Sequence, residues 1–432
     1  MLYAKNGRKD DLVVRGARVV DPAKGFDAIC DVRVDKGVVA QIGTELDANG
    51  HRVVEGEGFV LAPAFVDPHV HLRVPGGEDE ETIASGTEAA AAGGYCAILA
   101  MPNTDPVVDS AAVLGSLIED AKAQARVPVG FLAAITRGQE GGELTEMAEL
   151  AEQGAAGFSD DGMPLVAPGL MRRALQYHGI TGRRLALHCE EPTLSRGGQM
   201  HEGAVSAELG FAGYPSVAES VMVERDLSLA AYEQAPLHLL HLSARESVDA
   251  VRAAQAKGVA ATAEVTPHHL CLTDEAVRSL DSNVKMNPPL RSADDRAALI
   301  EGLRDGTIGS VATDHAPHAR HEKEVPFEAA PFGVTGLETA FASLYTHLVE
   351  PGLLPLETLL ERMSAGPARA YGLEPPRIAE GAPANLVLLD TESTWRVEEG
   401  GFRSRSANSW LLGQTLRGRA RLTVAAGKVV HG

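Results

Sequence analysis

Two histidines, His69 and His71, stand one residue apart in the segment DPHVHLR. On a strand, side chains alternate, so both imidazoles would face the same side. Two neutral imidazoles aimed at one point suit a divalent cation. Alone the pair says little, because a chain with 15 histidines can contain such a doublet by chance. Similar groups end other apolar runs, however. These are Met101-Pro102-Asn103-Thr104, Phe158-Ser159-Asp160-Asp161-Gly162, Leu187-His188-Cys189-Glu190, Leu240-His241-Leu242-Ser243 and Thr313-Asp314-His315-Ala316-Pro317-His318. Four His and two Asp can hold two metals if one carboxylate bridges them. A water shared by two such cations loses its proton near neutral pH, which is the basis of metal-assisted hydrolysis.

Groups so far apart in the chain need a frame that gathers them. Eight apolar runs read as strands: Phe59 to Val66, Tyr95 to Met101, Val129 to Ile135, Gly157 to Ser159, Leu185 to His188, Leu237 to Leu242, Val259 to Val265 and Ser310 to Thr313. Between them, Ala-rich stretches such as Thr82 to Ala92, Thr145 to Gln153, Val217 to Ala231 and Arg245 to Lys257 space apolar residues near the helical period. Eight such units predict an α/β fold, a (β/α)8 TIM barrel, with its chemistry at the C-terminal strand ends. His or Asp stands there in strands 1, 4, 5, 6 and 8. Both chain ends instead read as short strands separated by turn residues, including Leu12 to Val14, Ile29 to Val34, Asn385 to Asp390 and Ala420 to Val430. Residues 1–60 and 378–432 are therefore expected to pair into one small β-sandwich domain around an inserted barrel, residues 61–377.

Composition narrows the partners. Of 432 residues, 39 are Lys or Arg and 59 are Asp or Glu, a formal charge of −20 that repels phosphate backbones. Nucleic acid is thus not an expected partner. No apolar run is long enough to span a membrane, and MLYAKNGRKDD lacks the apolar core of a secretory signal. The four cysteines, Cys30, Cys96, Cys189 and Cys271, form no CxxC pair. Free thiols and the lack of a signal point to the reducing cytoplasm.

The segments DPHVHLRVPG, AMPNTDPVVD, FSDDG, LHCEE, LHLSA, KMNPPLR and ATDHAPH, taken together, resemble type I dihydroorotase of the amidohydrolase superfamily. The likeness is to the class with Asp in place of a carbamylated Lys, and it runs from about Gly16 to Val430. Related hydantoinases and allantoinases use that Lys; here none occurs between Lys122 and Lys257. The resemblance implies a first zinc on His69, His71 and Asp314, a second on His188 and His241, and Asp161 bridging both. Asp161 is preferred to Asp160 because it resembles the family's bridging position in the DDG turn. His71, Arg73, Asn103, Asn287, His318 and the Phe332-Gly333 backbone would bind substrate. The implied activity is the reversible, zinc-dependent cyclisation of N-carbamoyl-L-aspartate to L-dihydroorotate in pyrimidine (UMP) biosynthesis. A metal-bridging hydroxide would attack the cyclic amide, with Asp314 as general base and acid. A homodimer, and association with aspartate transcarbamoylase, are the implied protein partners. The chain departs from the family at Val74, where Asp is usual, and at Gly93-Gly94-Tyr95-Cys96, usually GGFT; neither is a proposed ligand.

Other polar residues have plainer readings. His268 and His269 read as strand-end groups in hydrogen bonds, His315 as structural and Cys189 as packing. Glu190 and Glu191 are either supporting acceptors or solvated charges. The run Glu78 to Glu81 reads as an exposed helix N-terminus, where negative charge is favoured. His51, His178, His201, His238, His321, His347 and His431 receive no role. The stretch His318 to Pro331 has the position and mixed charge of a lid.

Overall fold

The computed structural model describes residues 1–48 and 50–432. Eight strands lie side by side in chain order: Phe65–Val70, Tyr95–Ala100, Val129–Ala133, Gly157–Ser159, Leu185–Leu187, Leu237–Leu239, Ala261–Val265 and Ser310–Val311. Every pairing between neighbours is parallel. The first and last strands meet through a parallel bridge between Val70 and His315, with His71 N donating to His315 O at 2.8 Å. The buried Asp67 carboxylate reinforces this seam, accepting from Thr313 N at 3.1 Å and from the Thr313 hydroxyl. The ring is thus closed, as the (β/α)8 reading requires. Its strands are buried on both faces, which explains their nearly unbroken apolar sequences.

The helices follow the predicted stretches with small shifts at their ends. Ile83–Ala92 starts behind Thr82, whose hydroxyl accepts from Ser85 N in a capping box. Met147–Gln153 begins two residues later than expected, while Val217–Glu233 runs two residues further. Arg245–Ala256 stops one residue short.

Both ends of the chain contribute to a second sheet. Its order is Lys428–His431, Thr415–Ala425, Leu386–Arg396, Val60–Pro63, Leu12–Asp21, Phe26–Asp35 and Val38–Gly43, with Arg52–Glu55 beside Leu12–Asp21. Leu12, Val14, Val32 and Val34 from one half share a core with Leu386, Leu388, Leu422 and Val424 from the other. The expected strand Phe59 to Val66 divides at Ala64. Val60–Pro63 pairs with Leu386–Leu389 in the small sheet, and Phe65–Val70 opens the barrel. The division was invisible in sequence because both segments are fully buried.

One connection bears on the site. Residues 403–408, which link two strands of the small sheet, lie across the C-terminal rim of the barrel. Ser406 Oγ donates to Glu80 O at 2.7 Å, and Arg405 Nε donates to Asp79 O at 3.2 Å. Asn408 accepts from His318 N at 3.0 Å and donates to Ala316 O and Gly333 O. This strap joins the loops that follow the first and eighth barrel strands.

Candidate metal centre

At the C-terminal rim, six side chains from five strand ends converge. His69 Nε2 lies 3.5 Å from Asp161 Oδ2 and 3.4 Å from Asp314 Oδ1. His71 Nε2 lies 3.4 Å from Asp161 Oδ2 and 3.1 Å from Asp314 Oδ1. On the other side of Asp161, Oδ1 is 3.4 Å from His241 Nε2 and 3.7 Å from His188 Nδ1. The two oxygens of Asp161 therefore face two different histidine pairs. Asp160 points elsewhere: it accepts from Ile135 N at 2.8 Å, Thr136 N at 3.1 Å and the Thr136 hydroxyl.

In three of the four histidines the inward nitrogen is set by what the other ring nitrogen bonds. His69 Nδ1 donates to Glu264 Oε1 at 2.7 Å, His71 Nδ1 to Asn103 Oδ1 at 2.9 Å, and His188 Nε2 to Glu190 Oε2 at 2.9 Å. Glu264 also accepts from His238 at 2.9 Å. Burial would raise Glu264, but His69 and His238 outweigh it and hold the carboxyl at about 2. Burial would likewise raise Asp161 and Asp314. The surrounding histidines prevail and keep both below the usual carboxylate range. His241 and Asp314 have φ of 29° and 48°. Such left-handed backbone in non-glycine residues is costly and concentrates at functional sites.

Two atoms test whether this cluster suits a cation. His69 Nε2 and Asp161 Oδ1 are buried and have no hydrogen-bond partner among the described residues. Leaving such atoms unsatisfied costs about 1–3 kcal/mol each. Both point into the cluster, and each belongs to a set of three ligand atoms within 4.8 Å of one another. The donor set, imidazole and carboxylate, is that of a divalent transition metal.

A cavity of ≈ 160 Å³ opens beside the cluster, with Arg73, Asn103, Asn287, Phe332 and Gly333 in its wall. His318 lies behind Arg73 rather than in this wall. Its Nε2 donates to Phe332 O at 2.9 Å. Burial, with Arg73 and Lys323 alongside, lowers His318 to about 3. The stretch 318–333 is pinned: Lys285 Nζ donates to Phe327 O, Glu328 O and Ala330 O, and Lys323 Nζ to Pro331 O and Gly333 O.

Several plain readings change. Glu81 is fully buried rather than an exposed helix start; it accepts from His315 Nε2 at 3.1 Å and from the Ser404 hydroxyl. Glu80 pairs with Arg73 at 2.9 Å. Glu190 is a supporting acceptor, while Glu191 caps the short helix Pro192–Ser195. His238, given no role, braces Glu264. His269 is hydrogen-bonded as expected, to Thr266 and Pro288, but His268 Nε2 has no partner among the described residues. Glu264 was missed, although a lone carboxylate inside the apolar run ATAEV was a usable signal.

Comparison with known proteins agrees with this geometry. Residues 58–247 match a family described as Dihydro-orotase-like. A dihydroorotase from Pelotomaculum thermopropionicum is 46% identical over 420 residues, covering 97% of this chain and 98% of that one. One from Geobacter metallireducens is 43% identical over 422 residues, covering 98% and 99%. Among solved structures, L-hydantoinase (dihydropyrimidinase) from Arthrobacter aurescens superposes with a TM-score of 0.88 at 26% identity, covering 98% of this chain and 96% of that one. No helix among the described residues is long and apolar enough to cross a membrane. With near-full-length identity above 40% and a metal-suited cluster at the rim of a closed barrel, this chain belongs to the dihydroorotase family of cyclic amide hydrolases.

Proposed function

We propose that the protein is a dihydroorotase using two zinc ions per subunit to interconvert N-carbamoyl-L-aspartate and L-dihydroorotate in pyrimidine biosynthesis. The observation that supports this most is Asp161, whose two oxygens face separate histidine pairs beside a cavity walled by Arg73. In this reading His69, His71 and Asp314 hold one cation, His188 and His241 the other, and Asp161 both. When bound, the cations supply an acidified water and polarise a carbonyl.

The chain's own groups do the rest. Asp314, held ionised by its histidine neighbours, takes the proton from the attacking water and returns it to the leaving ring nitrogen. Ring opening thus adds hydroxyl to the carbonyl carbon, breaks the amide C–N bond and places hydrogen on nitrogen. Closure reverses these steps and releases water. Arg73 offers a planar guanidinium to the substrate carboxylate, which can accept two parallel bonds. Asn103 spends its oxygen on His71, which leaves its amide N–H groups for substrate. Asn287 and the Phe332-Gly333 backbone complete the anion pocket, and His318 supports it from behind by donating to Phe332 O. On a chain of net charge −20, such a local positive site offsets long-range repulsion of an anionic substrate.

The same reading places the enzyme in the cytoplasm as a homodimer able to associate with aspartate transcarbamoylase. Sedimentation of the chain alone and mixed with that enzyme would report both.

Removal of metal by a chelator is expected to lower the ultraviolet-monitored turnover of dihydroorotate at least about a hundredfold, and zinc to restore it. Full activity in a verified metal-free sample would contradict the reading, as would turnover of a hydantoin in place of dihydroorotate. Glu264→Gln is expected to weaken metal affinity about 10–100-fold, because His69 loses its orienting charge. Competition against a chromophoric chelator measures this, and wild-type affinity would remove Glu264 from the account.

A further inference from the structure

We infer that Glu80 is a positioning residue whose carboxylate fixes the Arg73 guanidinium as the anion clamp at the rim of the cavity. The inference rests on the dihydroorotase reading above.

Arg73 leaves the first strand with φ of 60°, and its side chain reaches the loop beyond the eighth strand. Its Nε approaches Pro317 O at 3.0 Å and Glu80 Oε2 at 2.9 Å. With Nε engaged, the two terminal amino groups are the edge left for a ligand, and that edge can grip a carboxylate. Nη2 lies 3.3 Å from His318 Nε2. Because His318 Nε2–H donates to Phe332 O, the lone pair of the neutral ring sits on Nδ1. That atom faces Glu80 Oε2 and Glu322 Oε2, each at 3.6 Å. Three electron-rich atoms meeting in this way could collect a cation. Here the Arg73 guanidinium, in contact with the same Glu80 oxygen, already supplies the positive charge.

Glu80 is itself held in place. Its N donates to Gly77 O at 3.0 Å, and its carbonyl accepts from Ser406 Oγ at 2.7 Å. The strap from the small β unit thus fixes the loop that aims Arg73. Side-chain exposures of 16% for Arg73 and 19% for Glu80 shield the pair from the screening that weakens surface ion pairs.

The test uses the metal-loaded full chain. Glu80→Ala is expected to raise KM for dihydroorotate about tenfold while kcat stays within about threefold and metal content is unchanged. Glu80→Gln preserves the size of the side chain but removes the charge beside the guanidinium, so it is expected to raise KM nearly as much as Glu80→Ala, which separates an ion-pair role from packing. In an Arg73→Ala background, Glu80→Ala is expected to add less than about twofold, because the group it aims is gone. A wild-type KM in Glu80→Ala, a loss confined to kcat, or an equal KM penalty in the Arg73→Ala background would each overturn the inference. A wild-type enzyme without dihydroorotate turnover would sink the functional reading instead. Calorimetric affinities for N-carbamoyl-L-aspartate across the same variants would then decide on Glu80 alone, an unchanged affinity in Glu80→Ala counting against it.

Discussion

Replacing Asp314 by Asn is expected to lower kcat for dihydroorotate by about a thousandfold, the scale of a lost general base combined with a weakened metal site. The substitution keeps the shape of the side chain, so a packing defect is a poor explanation for any loss. What it removes is the negative charge held by His69, His71 and His241, on the carboxylate whose Oδ1 lies 3.1 Å from His71 Nε2. Asn cannot accept the water proton, and it is a poorer ligand. Metal analysis separates the two losses: full metal content with little turnover isolates the proton-transfer role. A variant retaining wild-type kcat would reassign the base.

The second large effect is expected at Asp161. Its oxygens lie within 3.4–3.7 Å of His71, His241 and His188, and within 3.5 Å of His69. No other carboxylate among the described residues faces both histidine pairs. Asp161→Ala is expected to reduce bound metal to one ion or fewer per chain and to lower kcat/KM by at least about a thousandfold. Asp160→Asn is the informative contrast. Asp160 is buried and pushed up to about 6 by that burial, with its oxygens on Ile135 and Thr136. Its loss should loosen the loop after the third strand, measured as a lower Tm, while metal content stays at the wild-type level. Equal metal loss in both variants would undo the distinction between the two carboxylates.

Much of this centre was legible because a barrel makes chemistry periodic in sequence. Each unit carries an apolar strand and then a functional group, so His188, His241 and Asp314 announced themselves by where the apolar runs stop. His69 and His71 announced themselves by alternation. The supporting layer was harder to see. Glu81 belonged to a charged run, and runs of that kind are usually solvated. Only its contacts with His315 and with Ser404, 323 residues away, reveal a buried anchor. Asn408 gave no local signal, because its partners are backbone atoms of two distant loops. The boundary inside Phe59 to Val66 was hidden for a different reason. When both neighbouring strands are buried on both faces, period-two patterning disappears and nothing marks where one sheet hands over to the next.

Anomalous diffraction at the zinc edge on crystals of the zinc-loaded chain tests the central claim most directly. Two peaks are expected, one between Asp161 and the His69–His71–Asp314 group, the other between Asp161 and the His188–His241 pair. Zinc at other side chains, or none beside Asp161, would contradict the paired-cation site.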